Sequence, residues 1–157
     1  MIRTNLTRLF LLLACALAFA GCAPKAPVAD SDADVAAITS AAAAWEQAYN
    51  DKNVDAVAAI YAEDAQLLPQ GAPAVKGRAA IREHYVNEIA TTWAKTSFVS
   101  DAPVVAGDWA WRSGTWTCEC EPPLSGKAVD VWHRTAEGWR LHRDIWNLDA
   151  AETHEPQ

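Results

Sequence analysis

The side chains with the clearest chemical potential are two carboxylates and a histidine near the C-terminal end, Asp130, His142 and Asp144. Side chains alternate between the two faces of a strand, so His142 and Asp144 are predicted to share a face, with Asp130 on the strand before them. Two facing carboxylates repel each other, which favours protonation of one of them. A neutral acid beside an ionised one, with a histidine nearby, can transfer protons or activate water. These three residues are the candidate catalytic groups.

The alternative for both carboxylates is structural, with each of them paired to a cation or a tyrosine. Three arginines lie on the neighbouring predicted strands: Arg112, Arg134 and Arg140. Such an ion pair would fix the position of a strand and take no part in a reaction. The sequence leaves the catalytic and the structural interpretation open.

Tryptophan is frequent in this chain, with eight among 157 residues. Trp132 alternates to the same face as the first carboxylate, and Trp146 to the same face as the second. This pattern predicts aromatic walls around the carboxylates, which suit a flat or apolar ligand. Trp109 and Trp111 lie on an earlier predicted strand and share one of its faces. We expect this face to be on the convex side of the sheet, where aromatic residues favour a protein interface.

Cys118 and Cys120 form a Cys-x-Cys pair just before two prolines. Residues two apart on one face of an ideal strand lie about 6.8 Å apart, so a disulfide between them needs a kink in the chain. A disulfide between two copies of the chain and a soft-metal site that includes His133 are the alternatives. A structural metal requires further ligands that the sequence does not place nearby, so we expect none.

The elements that must position these groups change in character half-way along the chain. Apolar residues at three- and four-residue steps predict an amphipathic first helix, and Asn53 is a good cap for a second one. The patterns predict helices over 35–49, 54–61 and 78–90, and strands over 64–69, 96–105, 109–120, 128–135 and 139–148. Gly114 indicates a bulge within its strand. Helices followed by an antiparallel meander are typical of an α+β domain, in which the helices cover one face of the sheet.

The segment over 45–85, WEQAYNDKNVDAVAAIYAEDAQLLPQGAPAVKGRAAIREHY, resembles the N-terminal half of NTF2-like proteins. It is most similar to the SnoaL-like and DUF4440 branch, whose pattern is Trp, an acid-containing turn, Tyr-Ala-x-Asp-Ala and then Gly-Arg-x-x-Ile. The final hairpin, GKAVDVWHRTAEGWRLHRDIWN, is similar to the SgcJ/EcaC-like members of that branch. The resemblance implies an NTF2-like cone over 34–148, with three N-terminal helices packed on a curved antiparallel sheet and an open mouth.

Similarity to ketosteroid isomerases of the same superfamily implies which positions line the cone. Alignment with them places pocket positions on the two carboxylates, on their flanking tryptophans and on Tyr85. Their carboxylate base falls on Pro69 and their oxyanion-hole tyrosine on Trp45, and neither residue can do the same chemistry. Steroid-type isomerisation is therefore not expected, and the family implies no cofactor. The ligand-binding residues that we expect are Trp45, Tyr61, Tyr85, Asp130, Trp132, Asp144 and Trp146.

The N-terminal residues resemble an export signal. Arg3 and Arg8 precede a twelve-residue apolar run over 9–20, and small residues lead into Cys22. A basic start, a short apolar run and a small-residue end predict a secretory signal peptide over 1–21. The run is shorter than the roughly 20 apolar residues that span a bilayer. Its Ala-Gly-Cys ending resembles the lipobox of bacterial lipoproteins, which implies lipidation of Cys22; a secreted protein cut near Ala20 is the alternative.

Residues 22–33 are predicted to form a flexible tether, because alanine, proline and acids give no apolar period. Twelve extended residues reach about 40 Å, enough to hold a domain clear of a lipid surface. Residues 149–157 are predicted to form a polar tail. Ala23 and Pro24 follow the cysteine, which in lipoproteins implies the periplasmic side of the outer membrane.

The charge of the chain limits its partners. The net charge is −7, and removal of the signal peptide takes away Arg3 and Arg8, which makes it −9. Nucleic-acid binding needs a basic surface, so no nucleic-acid partner is expected. The expected partners are a small-molecule ligand, the membrane through acylated Cys22, and a second copy of the chain in a homodimer.

These observations favour an envelope-anchored domain that binds a small, partly apolar molecule in an aromatic-lined pocket. One alternative is an isomerase, dehydratase or hydrolase that uses the two carboxylates and the histidine for acid–base chemistry. The other is a dimeric protein-interaction module that uses the exposed faces of Trp109 and Trp111.

Overall fold

The computed structural model describes residues 32–149. Within that range the helices are α1 (Asp32–Asn50), α2 (Val54–Ile60) and α3 (Arg78–Thr91). The strands of the same range are β1 (Tyr61–Leu68), β2 (Val75–Lys76), β3 (Thr96–Ser100), β4 (Val104–Ala106), β5 (Trp109–Cys118), β6 (Leu124–Thr135) and β7 (Gly138–Leu148). The predicted signal peptide, Cys22, and nearly all of the predicted tether and tail lie outside the described residues. None of the described helices has the length and apolar character needed to cross a membrane.

The helices form where the sequence pattern predicts them. Ile38, Ala42 and Tyr49 form the buried stripe of α1, with Trp45 partly buried beside them. The side chain of Asn53 accepts a hydrogen bond from the backbone N–H of Ala56 at 3.1 Å and so caps α2. The apolar faces of the helices pack against the concave face of the sheet, which makes a two-layer α+β fold.

The strands form a curved, unclosed sheet in the order β2-β1-β7-β6-β5-β3, with β4 also paired to β5. This confirms the predicted α+β class with helices on a curved sheet. The expectation of a wholly antiparallel sheet is wrong in one place, because β1 runs parallel to β7. These two strands are not joined by a hairpin, so no tight turn fixes their relative direction.

The predicted strand over 96–105 is two strands, β3 and β4, separated at residues 101–103. Pro103 has no N–H to donate to a ladder, which interrupts the pairing there. Asp101 fixes the break, since its N–H donates to the carbonyl of Ser113 at 2.8 Å and its carboxylate accepts from the Ser113 hydroxyl at 2.7 Å.

The β5 strand has no bulge at Gly114, where we expected one, and a bulge lies instead in β7. Val131 pairs with Arg143 and Trp132 pairs with Leu141, so His142 is an extra residue without a partner across the ladder. Gly114 pairs regularly, but a Cβ atom there would lie 2.6 Å from the carbonyl oxygen of Val99. Close approach of the neighbouring strand, and not a change of register, explains that glycine.

A partly buried ion pair joins the start of α1 to the last hairpin. Arg134 donates two hydrogen bonds to the carboxylate of Asp34, at 2.8 and 2.6 Å. The indole N–H of Trp139 donates to the same carboxylate at 3.1 Å, and the guanidinium lies 4.5 Å above the Trp139 ring. Trp139 is buried in the core. The Asp34 carboxylate therefore holds the first helical turn against β6 and β7.

Loss of this charge should weaken the fold. We expect Asp34→Asn to lower the free energy of unfolding by about 2 kcal/mol, because charge-assisted hydrogen bonds to a buried carboxylate are lost. The matched control is Asp55→Asn, which removes an exposed partner of Arg82 and should cost less than about 1 kcal/mol. Urea unfolding monitored by tryptophan fluorescence measures both. Equal losses in the two variants would contradict the structural role of Asp34.

Candidate functional site

A cavity of about 830 Å³ lies between the helices and the concave face of the sheet. Small-molecule sites commonly have volumes of about 300–1,000 Å³. Aromatic side chains from both layers line this cavity: Trp45 and Tyr49 of α1, Tyr85 of α3, Phe98 of β3, Trp116 of β5, Trp132 of β6 and Trp146 of β7. The surface of the cavity is therefore mainly apolar and includes several rings, with polar and charged side chains among them.

Asp130 and Asp144 lie directly opposite each other on β6 and β7, and both line the cavity. Side chains at such a cross-strand pair have Cβ atoms about 4.5–5.5 Å apart. Like charges at this separation disfavour each other, so the protein must either neutralise one carboxylate or supply it with a partner. Asp130 and Asp144 differ in the side chains that pair with them.

Asp130 has an arginine as its partner. Nε of Arg112 donates to Oδ2 of Asp130 at 2.7 Å, which is the structural alternative that the sequence left open. Burial raises the pKa of Asp130, and the charge and hydrogen bond of Arg112 oppose that shift. The Trp132 indole also lowers this pKa, although its geometry falls short of a hydrogen bond. Oδ1 is buried and accepts a hydrogen bond from none of the described residues.

Asp144 has a tyrosine pair as its partner. The Tyr61 hydroxyl donates to Oδ2 of Asp144 at 2.5 Å and accepts from the Trp45 indole N–H at 3.2 Å. The Tyr85 hydroxyl lies 2.8 Å from that of Tyr61 and donates to it, since the Tyr61 proton is already directed at Asp144. Tyr61 is fully buried behind the wall, so it supports Asp144 and does not itself line the cavity.

The environment of Asp144 raises its pKa to about 6. Burial is the largest cause, and the charges of Asp130 and Glu88 raise the pKa further. The hydrogen bond from Tyr61 and the charge of Arg112 act in the opposite direction. A carboxyl group with this pKa can accept or donate a proton near neutral pH, and in its ionised form it can bind a cation.

A second polar cluster on the cavity wall was missed by our sequence reasoning. The Tyr49 hydroxyl donates to Glu88 at 2.5 Å, and Nε2 of His84 lies 3.1 Å from the other oxygen of that carboxylate. Both His84 and Glu88 line the cavity. Their i,i+4 spacing on one helix, next to Tyr85, was the available signal, because residues so spaced share a helix face.

His142 does not join the two carboxylates, and our expectation that it shares their face is wrong. The bulge in β7 turns its side chain to the convex face, where its ring lies 4.9 Å from Trp109 and 5.8 Å from His133. Nε2 of His142 lies 3.5 Å from the carboxylate of Asp64 on β1. Burial and the charge of Arg143 lower the pKa of His142, against the effect of Asp64.

The remaining candidate residues lie on the convex face and at the edge of the cavity. Trp109 and Trp111 are on the convex face, 41% and 46% exposed, and Trp109 stacks on His133 at 4.1 Å. Cys118 and Cys120 form a disulfide with a Cα–Cα distance of 5.4 Å, and both line the cavity. Within residues 32–149, no three His, Cys, Asp or Glu side chains converge as a metal site.

The family follows from the sequence match over the same region. Residues 42–145 match the family model of the SnoaL-like domain. This chain belongs to the SnoaL-like domain family. The match spans all the cavity-lining residues named above, from Trp45 to Asp144, apart from Trp146. No curated protein matches the chain in sequence.

Several solved structures share the fold of this chain. A ketosteroid isomerase-like protein from Erwinia carotovora atroseptica is 23% identical with a TM-score of 0.69, covering 77% of this chain and 100% of its own. An NTF2-like protein of unknown function from Pseudomonas putida is 20% identical with a TM-score of 0.66, covering 78% and 92%. A protein of unknown function with a cystatin-like fold from Nostoc punctiforme is 19% identical with a TM-score of 0.66, covering 77% and 95%. At these identities the likeness shows the fold alone.

The Tyr61 hydrogen bond should be visible in the titration of Asp144. We expect Tyr61→Phe to raise the pKa of Asp144 by about one unit or more, because a hydrogen bond to the ionised form is lost. Carbon-detected NMR titration of the Asp144 carboxyl group measures this shift. Tyr49→Phe is the matched control, since that hydroxyl bonds Glu88 and should leave Asp144 nearly unchanged. A pKa that stays the same or falls in Tyr61→Phe would show that the tyrosine does not stabilise the carboxylate.

Proposed function

We propose that this SnoaL-like domain binds a small, partly apolar molecule inside the cone. The observation that carries the proposal is the cavity of about 830 Å³, walled by rings from helices and sheet, with two facing carboxylates. A largely apolar cavity with a few convergent polar groups and a shifted carboxyl pKa is the typical form of a ligand site. The apolar walls favour burial of a ring system, and the carboxylates would orient its polar end.

Binding is better supported than acid–base catalysis by the residues that the cavity contains. Asp130 is held by Arg112, and His142 lies on the opposite face of the sheet. Of the three candidate catalytic groups, only Asp144 combines access to the cavity with a pKa near neutrality. Acid–base catalysis usually needs an acid and a base with separate pKa values around one substrate.

Filling the cavity tests the proposal. N-phenyl-1-naphthylamine is a neutral, apolar probe whose fluorescence rises in apolar surroundings, and we expect the wild-type chain to bind it. Ala128 lines the cavity, so Ala128→Phe should weaken binding by roughly ten-fold or more through steric overlap. Fluorescence titration measures the dissociation constants.

The neighbouring residue supplies the matched control for this experiment. Val129 is 41% exposed on the convex face, so Val129→Phe adds a ring to the same strand and leaves the cavity open. We expect it to bind the probe as the wild type does. Equal binding by all three proteins would place the probe outside the cavity and contradict the proposed function.

We also propose that the domain is anchored in the bacterial envelope through acylated Cys22. The support is the sequence alone, namely two arginines, a short apolar run and an Ala-Gly-Cys ending. Several acyl chains on one cysteine would hold the membrane firmly, since stable anchoring takes more than one lipid signal. The cavity would then receive ligands from the periplasm or from the surface of the membrane.

Replacement of the cysteine tests the anchor. In the bacterium that encodes the protein, Cys22→Ser should move the chain from the membrane fraction to the soluble fraction, because no acyl group can be attached. Cys15→Ser lies inside the apolar run and should leave the protein with the membrane. Immunoblots of the two fractions report the distribution. Retention of Cys22→Ser in the membrane fraction would exclude Cys22 as the anchor.

A further inference from the structure

The charges on the cavity wall are mostly of one sign. Four carboxyl groups line it, from Glu46, Glu88, Asp130 and Asp144. Among the described lining residues the only arginine or lysine is Arg112, and it is already paired with Asp130. A cavity with this balance has a negative potential, which its low-dielectric walls concentrate. The wall therefore favours a cation and disfavours an anion.

Two acceptor atoms of the carboxylate pair lack hydrogen-bond donors among the described residues. Oδ1 of Asp130 is buried and accepts no hydrogen bond from those residues, although the nearby Trp132 indole lowers the Asp130 pKa. Asp144 accepts from Tyr61 through Oδ2, and no described side chain donates to its Oδ1. Because the two residues are directly opposed across the strands, one donor group can reach both carboxylates. A buried acceptor without a donor is unfavourable, and a ligand N–H would satisfy it.

Aromatic rings from both layers line the same cavity as this acidic pair. Trp45 of α1 packs edge to face with Phe98 of β3 at 5.5 Å, and Trp116 of β5 packs edge to face with Trp146 of β7 at 5.9 Å. The faces of aromatic rings attract cations and also accept apolar carbon skeletons. Acidic groups and aromatic rings in one cavity match a ligand with a positive end and an apolar body.

We propose that the ligand is an apolar organic cation, a protonated amine on an aromatic or aliphatic skeleton. Its ammonium group lies between Asp130 and Asp144 and donates hydrogen bonds to them, while its skeleton packs on the aromatic walls. An ammonium group leaves water only where opposite charge and acceptors replace its hydration, and the cavity supplies both. This inference rests on the proposed function, because it names the ligand class of the same cavity.

A neutral hydrogen-bonding ligand is the rival that the experiment must separate from a cation. Three probes share one ring system and differ only in the charge of the head group: 1-naphthylmethylamine, 1-naphthalenemethanol and 1-naphthoic acid. At about pH 7.5 they are a cation, a neutral molecule and an anion. Isothermal titration calorimetry with the full-length chain gives each affinity. We expect the amine to bind roughly ten-fold or more tightly than the alcohol, and the acid to bind most weakly.

Two variants, each lacking one carboxylate charge, test whether Asp144 causes the preference for the amine. Asp144→Asn keeps the shape of the side chain and an acceptor for Tyr61, and we expect it to reduce the preference for the amine over the alcohol to within about three-fold. Asp55→Asn removes the same charge from α2, outside the cavity, and should keep the full preference. An unchanged preference in Asp144→Asn would overturn the inference, as would equal binding of the amine and the alcohol to the wild type.

The cavity variant separates failure of this inference from failure of the proposed function. If the alcohol binds as well as the amine and Ala128→Phe weakens both, the cavity is a ligand site and only the cationic class is wrong. If none of the three probes binds the wild type but N-phenyl-1-naphthylamine does, only the cationic class is wrong. If Ala128→Phe weakens the binding of no probe, N-phenyl-1-naphthylamine included, both the ligand class and the proposed function are overturned.

Discussion

The composition of the cavity wall depends on a single irregularity in the β6–β7 pair, where His142 has no residue opposite it. Leu141 and Asp144 are three positions apart, so in a regular strand they would point to opposite faces. The extra residue restores the alternation, and both side chains line the cavity. It also places Asp144 across from Asp130. Without the extra residue, the side chain of either Leu141 or Asp144 would point to the convex face.

The Tyr61 hydroxyl connects the part of the cavity wall formed by β7 to the helices. It receives a hydrogen bond from Trp45 of α1 and one from Tyr85 of α3, and it donates to Asp144 of β7. All the protons in this chain of bonds are directed toward the carboxylate. The relative position of helices and sheet and the ionisation of Asp144 are therefore coupled, since a shift of either helix would change the donors that stabilise the charge.

Periodicity was sufficient to predict the helices, most of the strands and the shared face of each carboxylate with its tryptophan. It could not tell which face is concave, and that expectation came from the resemblance to ketosteroid isomerases. Periodicity failed at His142, because a bulge of one residue leaves no mark in an alternating pattern of this kind. It also failed at Glu88, whose carboxylate is bound by the hydroxyl of Tyr49 on another helix, although its i,i+4 spacing from His84 was a local signal. The parallel pairing of β1 with β7 was hidden because long-range contacts have no local signature.

The contact between Asp34 and the β6–β7 hairpin has a mechanical consequence. Tension applied to the chain from its N-terminal side enters the domain at Asp32 and meets this ion pair two residues later. The pull is then transferred to β6 and β7, the two most central long strands, whose many ladder bonds share it. Force on the first turn of α1 would therefore be shared by these two strands and would not fall on the rest of the helix alone.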